Sequence, residues 1–506
     1  MTQRRGPTGR MPQRPGKPAF HAKPVPRQQA RAKPPFPSKQ GPGRPVSSKP
    51  KPAPEQERSI SLGARLVALD VLTDVHEHGA YAALALDRRL TASPALPPRD
   101  RRLATELVYG TLENKIRLDH MLGFFLEKKE VEPLVRDILR MGAYQLFFLD
   151  RVPGSAAVNE AVKLARAKGR EAGTGLVNAV LRGMTRDAAR VTYPDPEREP
   201  ARYLSLMHSL PLWIAERLIE AYGQREATLI AQYRAPDAGV VVRPNLERIS
   251  GAEFAAYLRR RGFAFEPGTV PDSYRIRRPG DLTREAEYRR GLFSIQGESS
   301  MLAAMAVGIG PGNAAVDACA APGGKTALLA ETMRGSGRVH AWDLHEHRVE
   351  LLKAMTVRLH LDNVRPAQRD AAVFRQELEG TMDAVLVDAP CSGLGVMTGK
   401  PDVKYRQTPQ TVASLAETQA RILDACCRYV KPGGTLVYAT CSILPEENGV
   451  QVDAFLARHP DFALDGEGLA QRLPEGFRGK IADGRLQLFA HRDGIDGFFI
   501  ARMVRR

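Results

Sequence analysis

The chain has 506 residues, 43% of them hydrophobic and 26% charged, with a formal net charge of +17 at pH 7. That length exceeds one ordinary core and predicts several domains; no apolar stretch approaches the roughly 18 residues of a membrane helix. The five cysteines show neither a CxxC pair nor Cys/His ligand spacing, which excludes a disulfide framework and a zinc site.

Residues 1–58 mix Pro, Lys, Arg, Gln and Gly and hold fourteen Lys or Arg against two Glu. With so little apolar surface to offset ordering entropy, they are predicted to form a disordered basic arm. A polyanion would be drawn to such an arm by counterion release, and a solubilising tail would have the same composition. The arm lacks the apolar core of a signal peptide, so the expected location is cytoplasmic.

From Ser59 the spacing turns helical, as in Leu62, Leu66 and Leu69, then Leu103, Leu107 and Leu112, then Leu134, Ile138, Met141 and Gln145. Pro97-Pro98 and Pro153-Gly154 interrupt it and no run alternates. Residues 59–190 are therefore predicted all-helical, and 191–236, including His208–Trp213, a helical connector. Over 237–295 the β-rich runs Val240–Val242 and Tyr274–Arg277 flank a helical stretch, Ala252–Arg261, which predicts a small α+β unit. Its Arg259, Arg260, Arg261, Arg275, Arg277 and Arg278 could face phosphates or simply solvent. Over 296–506 the apolar strands Ala314–Ala318, Val339–Asp343, Ala384–Asp388 and Thr435–Thr440 alternate with amphipathic helices, the pattern of an α/β doubly wound parallel sheet. Cys426 and Cys427 lie in an apolar helical pattern and read as core.

The first of these strands runs into Asp317-Ala-Cys-Ala-Ala-Pro-Gly-Gly-Lys-Thr326. Small residues and paired glycines at a helix N-terminus let a nucleotide-like ligand approach the backbone, and Asp343, at the next strand end, suits ribose hydroxyls. Adenosine is the natural ligand. ATP is disfavoured because Cys319 stands where a Walker A loop needs Gly and Pro322 removes an amide donor; NAD is disfavoured because GxGxxG is missing. Two later strands end in Asp388-Ala-Pro-Cys391 and in Thr440-Cys441, bringing a carboxylate and two thiols to the carboxyl edge, where open sheets hold active sites. Buried core cysteines are the ordinary reading of the residue type, but both thiols sit among Pro, Ser and Gly rather than in apolar runs.

Asp388-Ala-Pro-Cys391 and Ala439-Thr-Cys-Ser-Ile-Leu-Pro-Glu-Glu-Asn448 resemble signature strings of the Nol1/Nop2/Sun family of RNA cytosine-C5 methyltransferases. Leu107-Val-Tyr-Gly110, Gly142-Ala-Tyr-Gln-Leu146, Val158-Asn-Glu-Ala-Val162 and Leu176-Val-Asn-Ala-Val-Leu-Arg182 are similar to the NusB-type RNA-binding domain of its bacterial RsmB/Sun branch. The resemblance spans about residues 60–506. It implies a NusB-like domain over 59–190, a Rossmann-like class I methyltransferase domain over 296–506, and an enzyme that uses S-adenosylmethionine and no metal. The implied partner is RNA, with small-subunit ribosomal RNA as substrate ahead of tRNA; a monomer is expected.

Carbon 5 of cytosine is a poor nucleophile, so a thiolate must first add at carbon 6. The resemblance makes Cys441 that nucleophile and Cys391 the thiol that assists release, an order position alone leaves open. It also puts Cys319, Ala320, Ala321, Pro322, Gly323, Gly324 and Lys325 on the methionine and backbone contacts, Asp343 on the ribose, Asp370 on the adenine, and Asp388 on the cytosine edge beside the cofactor. Lys325 is expected to help ionise the nucleophile. Asp370 reads equally as an exposed turn, and Arg348 and His491 as surface partners. Met397-Thr-Gly-Lys400 lacks the paired arginines often found there and Ala490 replaces a frequent proline, departures that touch RNA grip rather than chemistry. A NusB-like RNA-binding or antitermination protein with an inactive cofactor domain is the rival class, and retention of both thiols disfavours it.

Overall fold

Helices begin where the sequence places its prolines. Pro98 opens α3 and Pro153 caps α6, positions at which a missing N–H costs nothing. The structure, a computed structural model, describes residues 55–126, 130–235 and 239–506, with side chains from residue 62 onward. The basic arm expected over 1–58 lies outside the described residues, except that α1 already begins at Glu55.

Among the described residues, seven α-helices make the first domain: α1 Glu55–His78, α2 Ala82–Thr91, α3 Pro98–Glu113, α4 Lys115–Gly123, α5 Pro133–Phe148, α6 Gly154–Ala167 and α7 Thr174–Arg186. The periodic positions Leu69, Leu107, Leu112, Ile138 and Met141 are buried in it. Gln145, also buried, accepts from Arg65 Nε at 2.8 Å. Helices α8 Pro200–His208 and α9 Leu212–Gln232 follow. Leu204, Ile214 and Leu218 pack them against Leu394, Ile443, Leu444 and Phe489, beneath the loops that carry the two thiols.

The small unit holds β1 Val240–Pro244, α10 Gly251–Arg260, β2 Ala264–Pro267, β3 Tyr274–Arg277, α11 Ala286–Arg289 and β4 Phe293–Ile295, in an antiparallel sheet of order β2-β3-β1-β4. A reciprocal Ser250–Glu253 capping box starts α10. Several of the arginines that sequence left open are paired: Arg261 with Glu285, Arg277 with Glu266 and Arg275 with Glu298.

After α12 Glu298–Val307 come β5 Ala314–Asp317, α13 Gly324–Thr332, β6 Arg338–Asp343, α14 Glu346–Leu359, β7 Val364–Gln368, β8 Met382–Asp388, α15 Pro409–Cys426, β9 Val430–Thr440, α16 Gly449–Arg458, β10 Phe462–Leu464, β11 Arg485–Leu488 and β12 Phe498–Arg505. The sheet order is β10-β12-β9-β8-β5-β6-β7, with β11 beside β12. Strands β5 to β9 are parallel, as expected, whereas β10, β11 and β12 pair antiparallel. The sheet is thus mixed: parallel neighbours need a long crossover, and the short return from β11 to β12 supplies none. Among the described residues no helix is long and apolar enough to cross a membrane.

A strap just before α15, residues 402–406, ties the catalytic half to the first domain. Asp402 Oδ2 accepts from Ala82 N at 3.2 Å, Lys404 Nζ donates to Glu113 O at 3.0 Å, Tyr405 OH to Leu112 O at 2.8 Å, and Arg406 Nη1 to Gly79 O at 2.9 Å. Lys404 is buried, and burial pushes its ammonium down to about 7, with the Arg234 guanidinium adding to the shift. In the unfolded chain that group titrates near 10.5, so from about pH 7 to 10 the unfolded state holds the extra proton and this contribution to stability rises with pH. Urea denaturation at pH 6 and pH 9 should therefore show the wild type gaining on Lys404→Met as pH increases; parallel behaviour of the two would refute the assignment.

Candidate active site

The loop after β5 is stitched to its neighbours before it reaches α13. Ala318 N donates to Leu386 O at 2.9 Å and Ala320 N to Trp342 O at 2.7 Å, so residues 318–322 are held across the ends of β8 and β6. Gly323, at φ +110°, caps α13, and a Cβ there would meet Met355 Cε at 2.6 Å. The turn needs glycine for its backbone conformation, since the Met355 tip could move aside.

The chemistry-bearing groups come together at this edge. Lys325 Nζ lies 2.6 Å from Asp388 Oδ2, and the Sγ atoms of Cys391 and Cys441 are 3.4 Å apart. With Lys325 committed to a carboxylate, the loop does not offer it as the phosphate-binding lysine of a P-loop. The two thiols are not equivalent. Cys441 is shifted below the usual thiol range, first by a hydrogen bond from Cys391 and further by Lys325 and Lys400, against burial and Asp388. Cys391 is held well above it, by that same hydrogen bond, by burial, and by the charges of Cys441 and Glu447. These shifts favour Cys441 over Cys391 as the thiol that ionises. Cys319 is pushed up by burial, and Cys426 and Cys427 sit in the core, as read from sequence.

Asp343 is buried at the end of β6, accepting from His345 N at 3.1 Å. Arg348 is not a surface partner as expected. Its Nη2 donates to Ala321 O at 2.8 Å and its Nη1 lies 3.4 Å from Asp343 Oδ2, so it pins the glycine loop to the acid. Only the fold brings α14 over that loop, which is why sequence missed it. His491 is structural, paired with Glu226 at 2.6 Å. Asp370 is exposed and its Oδ1 accepts from Ala372 N at 2.9 Å, holding its own turn.

Sequence reasoning also passed over Asp317. Fully buried, its Oδ2 accepts from Thr326 Oγ1 at 2.6 Å while Oδ1 has no partner. Burial raises its carboxyl to about 7, and Asp388 and Asp343 add to the rise. Asp388 and Asp317 act on Lys325 while Asp343 stands beside Arg348, and these groups, with an orphaned oxygen behind a small-residue cradle, fit a ligand that carries both positive charge and an adenosine; S-adenosylmethionine has these features. Such a cation favours ionised Asp317, so its binding should tighten by up to about tenfold between pH 6 and 8. Calorimetric titration should find that dependence flattened in Asp317→Asn, and an unaltered slope would count against the fit.

A cavity of about 660 Å³ opens beside this edge, between the loop residues Ala320 to Lys325 with Asp388, the α14 residues Met355 and Arg358, and Tyr288 and Ser294 to Gly297 of the small unit; Lys400 stands at its rim. It offers cationic and stacking groups next to the thiol pair.

Comparison with known proteins agrees with this layout. Residues 304–504 match the family described as 16S rRNA methyltransferase RsmB/F, and residues 62–186 match the NusB family. The chain is similar to the probable ribosomal RNA small subunit methyltransferase B of Bacillus subtilis, 39% identical over 87% of this chain and 98% of that protein. It is also similar to the ribosomal RNA small subunit methyltransferase B of Vibrio cholerae, 33% identical over 87% of this chain and 97% of that one. The crystal structure of a methyltransferase homologue from Pyrococcus horikoshii superposes with a TM-score of 0.51 at 28% identity, covering 62% of this chain and all of the other. Built from a NusB-like helical domain and a mixed-sheet methyltransferase domain, the chain belongs to the ribosomal RNA small subunit methyltransferase B family.

Proposed function

We propose that the chain transfers the methyl group of S-adenosylmethionine to carbon 5 of a cytosine in small-subunit ribosomal RNA, through a transient bond between Cys441 Sγ and carbon 6 of the base. The observation that carries this reading is the thiol pair at 3.4 Å at the carboxyl edge of the sheet, with the charge of Lys325 favouring ionisation of Cys441. S-adenosylmethionine, when bound, supplies an electrophilic methyl group on sulfur. Residues 319–325, Asp343 and Asp370 would hold it, with Asp317 and Arg348 bracing the loop.

The Cys441 thiolate donates its electron pair to carbon 6, and carbon 5 becomes nucleophilic. Asp388 would hold the base edge as charge is redistributed, with Lys325 neutralising it. After methyl transfer the carbon 5 proton passes to a solvent water; the electron pair of that C–H bond re-forms the ring double bond and expels Cys441 as thiolate, which the protonated Cys391 can hydrogen-bond as it departs. Cys391, beside the reacting sulfur, would assist this release. A looped or bulged cytosine reaches such a pocket most cheaply. The helical domain over 59–190, the unit over 237–295 and the arm over 1–58 would grip the RNA around it.

Purified protein, labelled methyl donor and unmodified 16S transcripts, followed by bisulfite mapping, should place label in 5-methylcytosine at one or a few positions. Transcripts left unlabelled at every pyrimidine would end the proposal, and label confined to tRNA would change its substrate.

A further inference from the structure

Glu447 is completely buried, yet none of the hydrogen-bond partners of its carboxylate is charged. Its Oε1 accepts from Ser392 N at 2.8 Å and from Gln419 Nε2 at 3.1 Å; its Oε2 accepts from Ser392 Oγ and Ser442 Oγ, each at 2.5 Å. Ser392 directly follows Cys391, and Ser442 directly follows Cys441. Burying a carboxylate among neutral donors carries a desolvation cost that an apolar residue would not. Here the cost coincides with a tie between two loops 50 residues apart in sequence, whose thiols must work on the same ring. Gly395 N, donating to Cys441 O at 2.9 Å, is the backbone counterpart of that tie.

We propose that Glu447 is the positioning residue of the thiol pair: by holding Ser392 and Ser442 together it sets the separation of the two sulfurs. The proposal rests on the covalent reading above for its purpose, but its geometry stands without RNA. Misplacement by about 1 Å at a reacting centre can cost 100-fold, so a clamp on both sulfurs would govern addition and release together. The charge of Glu447 acts on Cys391, while Lys325 and Lys400 act on Cys441.

The test uses the full chain with Glu447→Gln, a near-isosteric change whose amide cannot accept from both serines and from the Ser392 N–H. In the absence of RNA and methyl donor, iodoacetamide labelling is read peptide by peptide across pH. Wild type should label at Cys441 well ahead of Cys391; in Glu447→Gln that preference should fall by about tenfold, the equivalent of one pKa unit. Phenylarsine oxide gives a second reading of spacing, since its arsenic forms bonds to two sulfurs with loss of one water, and bridging of 391 to 441 should become slower. Ser392→Ala and Ser442→Ala should each reproduce part of the effect and add little in the Glu447→Gln background, and these two single variants carry the test if Glu447→Gln fails to fold. An unchanged labelling preference and bridging rate in these variants would overturn the clamp, even with methylation intact. A changed preference in a protein that methylates no RNA would leave the clamp standing and end the functional reading.

Discussion

Cys391→Ala is expected to accumulate a covalent protein–RNA complex that survives denaturing gel electrophoresis, and Cys441→Ala to form none. The asymmetry follows from where the shared proton sits. The hydrogen bond between the thiols, helped by Lys325 and Lys400, lowers Cys441, and the same bond with burial and Glu447 raises Cys391, so Cys441 is the sulfur expected to add to a ring. Once it has added, the alanine variant at 391 lacks the thiol placed to hydrogen-bond the departing sulfur, and the adduct persists. Loss of the nucleophile should reduce turnover by roughly 10⁴- to 10⁶-fold, the range seen when a covalent nucleophile is removed from an enzyme that otherwise keeps its site. Labelled RNA on a denaturing gel reads both variants at once. Adducts from Cys441→Ala and none from Cys391→Ala would exchange the two roles.

Lys325→Met should produce the next largest loss, and its pH profile is the informative part. The reactive form of Cys441 is the thiolate, so adduct formation rises with pH through the thiol's pKa, which lies below its ordinary value partly because Lys325 is near. Removing the lysine raises that pKa; at neutral pH the thiolate fraction falls by up to tenfold per unit of rise, and the rising limb of the rate moves to higher pH. The variant also leaves Asp388 without its partner. Breaking a fully buried pair costs about 3–5 kcal/mol; with the Asp388 side chain 25% exposed, about 2 kcal/mol is expected here. Stopped-flow measurement of adduct formation from pH 6 to 9 checks the profile, and a limb that stays in place removes Lys325 from the activation of Cys441.

The legible part of this protein was local. Helices of the first domain announced themselves through leucine spacing, and the strand ends that carry Cys319, Asp343, Asp388 and Cys441 were visible because loops punctuated by Gly, Pro and Ser follow apolar runs. What stayed hidden depends on pairings remote in the chain. Phe498–Arg505 is buried along most of its length, so its antiparallel place beside β9 left no alternating trace. Arg348 looked like one more helix-surface cation until α14 was laid over the glycine loop. Glu447 stood within a recognised string, but its work on Ser392 spans 55 positions, and a glutamate in a sequence gives no sign that it will be dehydrated. Asp317 was hidden for the same reason.

The strap at 402–406 gives the two ends of the molecule a shared fate. It grips main-chain carbonyls of α3 and the α1–α2 turn as well as the Tyr81 ring, and it leaves the catalytic loops only a few positions after Lys400, which lines the cavity. A chimera that borrows its helical half from another protein would inherit the sockets without the matching plug. Domain shuffling by recombination is then penalised at this joint, and surviving exchanges should carry residues 400–406 along with the helices they fit.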